Sequence, residues 1–570
     1  MFKKREYQFE VQAERDGKWV TVHAEEDEHR AKKFAEGHLS SAEGTVLRVT
    51  RTRVFENGEL GSDYTIWEQP IPAKAERPVS IVPIDDAPMC ETFADLERFE
   101  ARRCATRLLR RYLDKHFLTA TELMHSMREF KRLRDADMLL PSAVSRVSGI
   151  QARNAGVDAR KRNDDLFRLV DRQFDRLREA ASRGLPSIDA AGPGKAWERA
   201  EEYGGPDQQF FYFGVMLSKH LTGAQSWDAK LERIIELKLP RLPQAVDIIL
   251  GELIAEVIDG ASVIQDLLGR QPDLISALKM LSDLTVGGLE ADKTRQPVLA
   301  ALNEAFRGTN MDIARDVLTA RIAREVGGRN DLTRYGGDED VDALGEIVNR
   351  LVDENGRYAG GSDMAEAIAS RFSRRFDDLG ARGAMERLTR EMTELFRLPS
   401  ARITFLCELL SMPFGHRLAG EIMSVLTAAI TRPKHINNFT YYRHPVPKKL
   451  RAVLMIRDGI QAASMRDKEK RIFRERLDQL TCEYLESDEV LGRIDGDALP
   501  LVKRLRGLLS LQLSGLLWDG PVLDVVRNRV VGHLTKSTGL EGALGELAED
   551  ERPAVRAELK ALLSRAGFGA

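Results

Sequence analysis

Four short stretches of this chain carry residue types at spacings that chemistry uses. Gly192-Pro193-Gly194-Lys195 offers the glycines and the lysine with which a phosphate loop cradles phosphate on backbone N–H groups. The rest of that motif fails: Asp189 stands five residues before Gly194 where a glycine is needed, Ala196 replaces the metal-binding hydroxyl, and no strand leads into it. Asp338, Asp340 and Asp342 have the alternate carboxylates that open a calcium loop, but Ala343 takes the place of the turn glycine and Asn349 that of the bidentate glutamate. Acidic residues crowding the positive end of a helix at 341–352 account for them better. His416, His435, His444 and Cys407 lie in one stretch, yet spacings of 9, 19 and 9 residues put no two of them on one helical face to hold zinc. His125, between Met124 and Ser126, is a lone helical histidine, a type that more often packs or meets solvent than accepts a phosphoryl group. No GxSxG, HExxH or GxGxxG element has the context its chemistry requires. The sequence therefore assigns no catalytic residue, no metal ligand and no cofactor.

Charge is more informative. Between Arg102 and Arg183 there are 20 Lys and Arg against 11 Asp and Glu, in a chain whose net charge is −3. Runs such as Arg102-Arg103, Arg110-Arg111 and Arg160-Lys161-Arg162 suit a phosphate backbone or an acidic partner. The competing and favoured account is that these arginines line solvated helix faces and pair with carboxylates three or four residues away, as Asp171, Asp175 and Arg178 could. A second region, Arg432 to Arg451, lies in a stretch with no acidic residue from Ile422 through Arg457 and seven cations. Phe439, Tyr441 and Tyr442 are interleaved there, the combination by which single-strand binders stack bases while cations meet phosphates. Its prolines mark a loop presented between helices, where interaction residues concentrate. Arg432, Lys434, Tyr441, Tyr442, Arg443, Lys448, Lys449 and Arg451 are the candidate contacts to an anion or a partner. Against this stands the usual fate of aromatics in a long loop, which is to fold back and pin it to the core.

The elements that must position these residues are mostly helical. Only the N-terminus alternates as strands do: Tyr7, Phe9 and Val11 share a face, Asp16-Gly17 offers a hairpin turn, and Trp19 to Val22 resumes the extended pattern. Residues 25–39 take helical spacing, with Ala31, Phe34, Ala35 and Leu39 on one side, and two further strands flank a turn at Asn57-Gly58. This predicts a ββαββ module at 1–67, of marginal stability at that size and built to leave a sheet face or edge open. Pro70, Pro72, Pro78, Pro83 and Pro88 make 68–90 a linker. Thr92 and Asp95 have the spacing of a capping box and open the helices.

From there helical periodicity runs to the C-terminus. Leu166, Leu169, Val170, Phe174 and Leu177 stripe one face of a helix, and the run from Val246 to Ile258 is apolar nearly all round, as a central helix is. The Gly- and Pro-rich stretch 186–205 reads as a loop between a basic helical region at 91–185 and a central helical domain at 206–431. The basic aromatic loop at 432–451 and a C-terminal helical region at 452–570 follow. No consensus repeat of about 33 to 47 residues is present, so the expected body is an irregular multi-helix stack, α-solenoid-like or a bundle.

Composition sets the outer bounds. A chain of 570 residues with 43% hydrophobic and 31% charged residues is that of a folded protein of several domains. Four cysteines, none in a CxxC pair, point to free thiols. The first basic residues lead into no signal-peptide core, and the most apolar stretch, Leu505 to Trp518, is too interrupted to cross a bilayer. The expectation is a mainly α, cytoplasmic protein, and its preference for Arg over Lys fits a GC-rich bacterial genome. Its expected role is a non-enzymatic scaffold or regulatory adaptor acting through other proteins. The alternatives are a nucleic-acid-associated factor using the basic helices or the 432–451 loop, and an enzyme whose helical active site no motif reveals.

Overall fold

The computed structural model describes residues 6–15, 18–39, 45–54, 60–70, 79–238, 241–353, 356–375, 383–536, 540–545 and 547–568. They belong to two compact units, Met1–Ser80 and Ile81–Ala570, and the architecture is mainly α. In the first unit, strands β1 (Glu6–Arg15) and β2 (Lys18–Glu25), helix α1 (Glu28–His38) and strands β3 (Val46–Val54) and β4 (Leu60–Pro70) follow in ββαββ order. They form one antiparallel sheet in the order β2-β1-β3-β4, so β2 and β4 are its edges. The two hairpin turns expected at Asp16-Gly17 and Asn57-Gly58 lie outside the described residues.

Period-two alternation puts Phe9, Val11 and Ala13 of β1 and Leu47 and Val49 of β3 on one face, where α1 closes over them with Ala31 and Ala35. Asp27 starts α1 by accepting from Arg30 N at 2.9 Å. A bulge opposite Val11 and Gln12 turns His23 toward α1, where its ring stacks on Phe34 at 4.0 Å. The opposite face is polar. Thr21 Oγ1 donates to Glu10 at 2.8 Å, and Arg48 donates to Gln12 at 2.8 Å while lying 3.7 Å from the ring centroid of Trp19.

The second unit begins with an extended strap rather than a tether. Val82 N donates to Leu108 O at 2.8 Å, Arg146 donates to Ile84 O, Gln151 to Pro88 O, and Arg162 Nη2 to Cys90 O at 2.5 Å. The later part of the expected linker, from Ile81, therefore belongs to the helical unit; residues 71–78 lie outside the described residues. Proline removes a donor and leaves the carbonyls, and in an extended segment side chains from neighbouring helices reach them. The capping box then forms as expected: Thr92 Oγ1 accepts from Asp95 N at 3.2 Å and Asp95 accepts from Thr92 N at 2.9 Å, opening helix Phe93–Glu97.

Beside a smaller cluster that gathers Cys90, Ala101, Val144, Leu166 and Leu169, the main apolar core runs from Phe99 to Ala566. Helix Gln244–Ile258 lies inside it, with Val246, Leu250, Leu253, Ile254 and Val257 fully buried. The stretch 186–205 is not simply a loop: it contains helix Gly192–Gly204, which buries Ala196 and Ala200. Pro193 sits in its first turn, where a missing N–H breaks no intrahelical bond. Likewise the basic loop ends early, because helix Val446–Ala462 starts with Pro447 in its first turn and takes in Lys448, Lys449 and Arg451. Breaks do fall at Gly336 and Gly337, whose φ values of 66° and 65° need the left-handed region. Among the described residues no helix is long and apolar enough to cross a membrane.

Two helical glycines separate packing from propensity. A Cβ on Gly251 would stand 2.2 Å from Asn310 O, whereas one on Gly149 would meet nothing within 4 Å. Gly251→Ala is expected to lose about 1–3 kcal/mol through overpacking. Gly149→Ala is expected to gain up to about 1 kcal/mol from helix propensity, and urea unfolding followed by circular dichroism reads the opposite signs.

Candidate functional site

The eight residues expected to meet an anion are divided by the fold. Ile436 and Phe439 are buried, Ser400 N donates to Phe439 O at 2.9 Å, and Arg476 donates to Pro433 O at 2.7 Å. These contacts pin the segment onto helices Pro399–Leu410 and Asp467–Leu485. Lys449 points inward: its ammonium lies 3.2 Å from Glu489 and 5.3 and 5.5 Å from the ring centroids of Tyr442 and Tyr484. Tyr484 Oη donates to the same carboxylate at 3.1 Å, and bonds from Lys449 and Tyr484 hold the Glu489 carboxyl below its ordinary range. Lys448 is half-buried. Arg432, Lys434, Tyr441, Tyr442, Arg443 and Arg451 are exposed, Tyr441 by 51% and Tyr442 by 71%. His444 braces the turn, with Nδ1 2.8 Å from Thr440 Oγ1 and its ring edge-on to Tyr441 at 5.1 Å. The outcome is a braced turn that presents two adjacent tyrosines beside Arg443.

Many arginines of 102–183 are committed within the fold. Arg146 and Arg162 hold the strap. Arg176 pairs with Glu97 at 2.8 Å and lies 3.7 Å from the ring centroid of Phe211, and Arg183 donates to Tyr203 O at 2.7 Å. Arg178 pairs with Asp175 at 3.0 Å, three residues away as the spacing expects. Sequence periodicity identified that last kind of partner only, because carbonyls on a remote strap leave no mark near the arginine.

A connected group of charges lies in the interior. Arg102 is fully buried on helix Phe99–Leu108 and donates to Glu256 at 2.6 Å, to Thr121 Oγ1 at 2.7 Å, to Glu97 O at 3.1 Å and to Glu252. Glu256 also accepts from Thr121 N at 3.0 Å, at the start of the short buried helix Ala120–His125. In the same helix Glu122 receives Lys230 Nζ at 2.6 Å and closes a capping box with Thr119. Burial pushes the Glu252 and Glu97 carboxyls up despite Arg102 and Arg176, and pushes the Lys230 ammonium down despite Glu122. Every charge here meets an opposite charge, which is the arrangement of a structural network.

His125 ends that helix as a sealed ring. Its Nδ1 lies 2.7 Å from Thr121 O, Phe210 and Phe211 stand 5.8 and 5.7 Å away, and Gly214 leaves the room it occupies. Burial holds its pKa down to about 3, so it is neutral and out of reach of a phosphoryl donor. The other motifs are also structural. Lys195 pairs with Glu198 at 2.5 Å in a helix that directly follows helix Ala159–Ser182, with no strand between them. Asp340 accepts from Leu332 N at 2.9 Å and from Thr333 N and Oγ1 at 2.8 Å, tying a loop to the start of helix Asp338–Arg350. Cys407 is buried with its thiol pushed up to about 12, and among the described residues no three His, Cys, Asp or Glu converge as metal ligands.

Arg102→Met strands two carboxylates and is expected to cost about 3–5 kcal/mol in urea unfolding, of which Arg102→Met with Glu256→Gln recovers a part. A second expectation concerns acid. Because the folded value of His125 lies below its ordinary 6.5, the unfolded chain takes up that proton first as the pH falls. Stability tied to His125 is whole above about pH 6.5 and declines below it by up to about 1.4 kcal/mol per pH unit, so His125→Phe should flatten the acid limb. No protein-family model, curated protein or solved structure matches this chain.

Proposed function

We propose that the chain is a non-enzymatic scaffold or regulatory adaptor that works by holding other proteins. The observation that carries this reading is the free edge of the N-terminal sheet. Strand β4 is 11 residues long and, among the described residues, pairs only with β3. Its side chains at 62–65 and 68–70 are exposed, Tyr64 by 65%. A long edge strand offers a row of unpaired N–H and C=O groups to an incoming strand, while side chains beside it select the partner. A cytoplasmic setting accompanies the reading and is supported by four free cysteines.

A second reading rests on the exposed pair Tyr441 and Tyr442 next to Arg443, with Arg432 and Lys434 also exposed in the same segment. Tyrosine faces accept any base, and the cations meet phosphate, so single-stranded nucleic acid fits this turn. Lys449 takes no part in it, since Glu489 holds that ammonium inside.

The tagged full-length protein is expected to retain discrete proteins from its own cell extract after nuclease treatment, and Tyr64→Lys, which places a charge on the edge, should lose at least one of them. Beads that stay empty would sink the scaffold reading, and an unchanged set on the variant would remove the edge from it. For the second reading, fluorescence anisotropy with a single-stranded oligonucleotide is the measurement. Tyr441→Ala with Tyr442→Ala should weaken binding by about tenfold or more, at roughly 1–3 kcal/mol per stacked base, and wild-type affinity should fall steeply with salt. Salt-insensitive binding, or none, would exclude it.

A further inference from the structure

Helices Phe99–Leu108, Leu139–Ala155 and Ala159–Ser182, together with the two short helices between Ala120 and Arg134, line an apolar cavity of about 130 Å³. Pro88 and Cys90 of the strap form part of its wall, and the helices contribute apolar side chains such as Leu108, Leu123, Val144 and Leu166. Only two amide side chains reach it, Gln151 and Gln173, and both are engaged elsewhere. Gln151 donates to Pro88 O and accepts from Arg162 Nε at 2.8 Å; Gln173 donates to Met124 O at 2.9 Å. The two thiols on the wall, Cys90 and Cys104, are pushed up to about 11 by burial and stay uncharged.

Protein interiors pack like organic crystals, and voids well above the size of a water are few. A space with no free polar group does not hold ordered water, which needs two to four hydrogen-bond partners, whereas an apolar cavity of about 150 Å³ engineered into another protein takes up benzene. A charged or strongly hydrogen-bonding guest would lose its hydration here without compensation. We propose that this cavity is a binding site for a small uncharged apolar molecule, about the size of one aromatic ring or a short branched aliphatic chain. The strap provides its entrance. It is held by side-chain bonds to its carbonyls, by Val82 N on Leu108 O and by the burial of Ile84, Ala87 and Cys90, and opening it unwinds no helix, whereas the remaining walls are helical.

Benzene is the probe, with the full chain labelled at its methionine methyl groups. Met124 lines the cavity, and its methyl resonance, assigned through Met124→Leu, should shift and saturate on titration. At ten times its dissociation constant benzene should raise the unfolding temperature by about 1–2 °C, and benzoate, the same ring carrying a charge, should do neither. Ala143→Leu and Ala105→Leu both fill the cavity and should abolish the thermal shift. If overpacking unfolds either variant, the Met124 signal of the unsubstituted chain decides. An unmoved Met124 resonance, or stabilisation that persists in a folded cavity-filling variant, overturns the assignment.

Discussion

A guanidinium removed from water stays charged and must find acceptors for its donors, and the helices around Arg102 supply them. Its acceptors come from the chain just before it, from the buried helix Ala120–His125 and from helix Gln244–Ile258, some 150 residues further on. Glu122 and Lys230 repeat the device from the same short helix to helix Trp227–Leu237. Apolar ridges tolerate a neighbouring register far better than a buried ion pair does, since a slip of one turn, about 5.4 Å, strands charges on both sides in apolar surroundings. A helix of six residues has too few internal bonds to persist alone, so Ala120–His125 exists because its ends and side chains are bonded by its neighbours.

The same logic explains the few arginines of the basic segment that turn inward, while most of its cations, Arg107, Arg128, Arg132, Arg153, Arg160 and Lys161 among them, face solvent. Arginine has five donors in a planar fork, and this fold uses them where the backbone offers acceptors without a regular ladder. Arg146 and Arg162 hold the strap that walls the apolar cavity, and Arg183 reaches the end of the next helix at Tyr203. The C-terminal helices repeat the pattern around Asp495, which receives His533 at 2.5 Å and Arg529 at 3.2 Å. The exposed surface includes the edge of β4, the polar face of the sheet beside Trp19, the tyrosine pair at 441–442 and most of the cations of 102–183.

The legible and illegible parts of the chain differ in the range of the interactions that decide them. Alternation in β1, the apolar stripe of the helix at 159–182 and the Thr92–Asp95 cap are neighbour effects, and each appears where its residues stand. The stretch 186–205 misled because Gly and Pro mark loops in general, while Pro193 falls in the one helical turn that accepts it. The basic aromatic segment was half legible. Phe439 does fold back and pin it, Tyr441 and Tyr442 do face solvent, but Lys449 turns inward to Glu489, 40 residues away.

The sequence by itself therefore determined the fold class, the order of the N-terminal strands and helix, the central place of helix Gln244–Ile258 and the residues able to form a basic aromatic surface. Those follow from periodicity and local capping, whose range is a few residues. Only the tertiary structure decided which arginines face solvent and which are buried in ion pairs, that the prolines of 81–90 form a strap, and that a cavity lies beneath it. Each of these depends on partners tens to hundreds of residues apart, and distance in space is not written in distance along the chain.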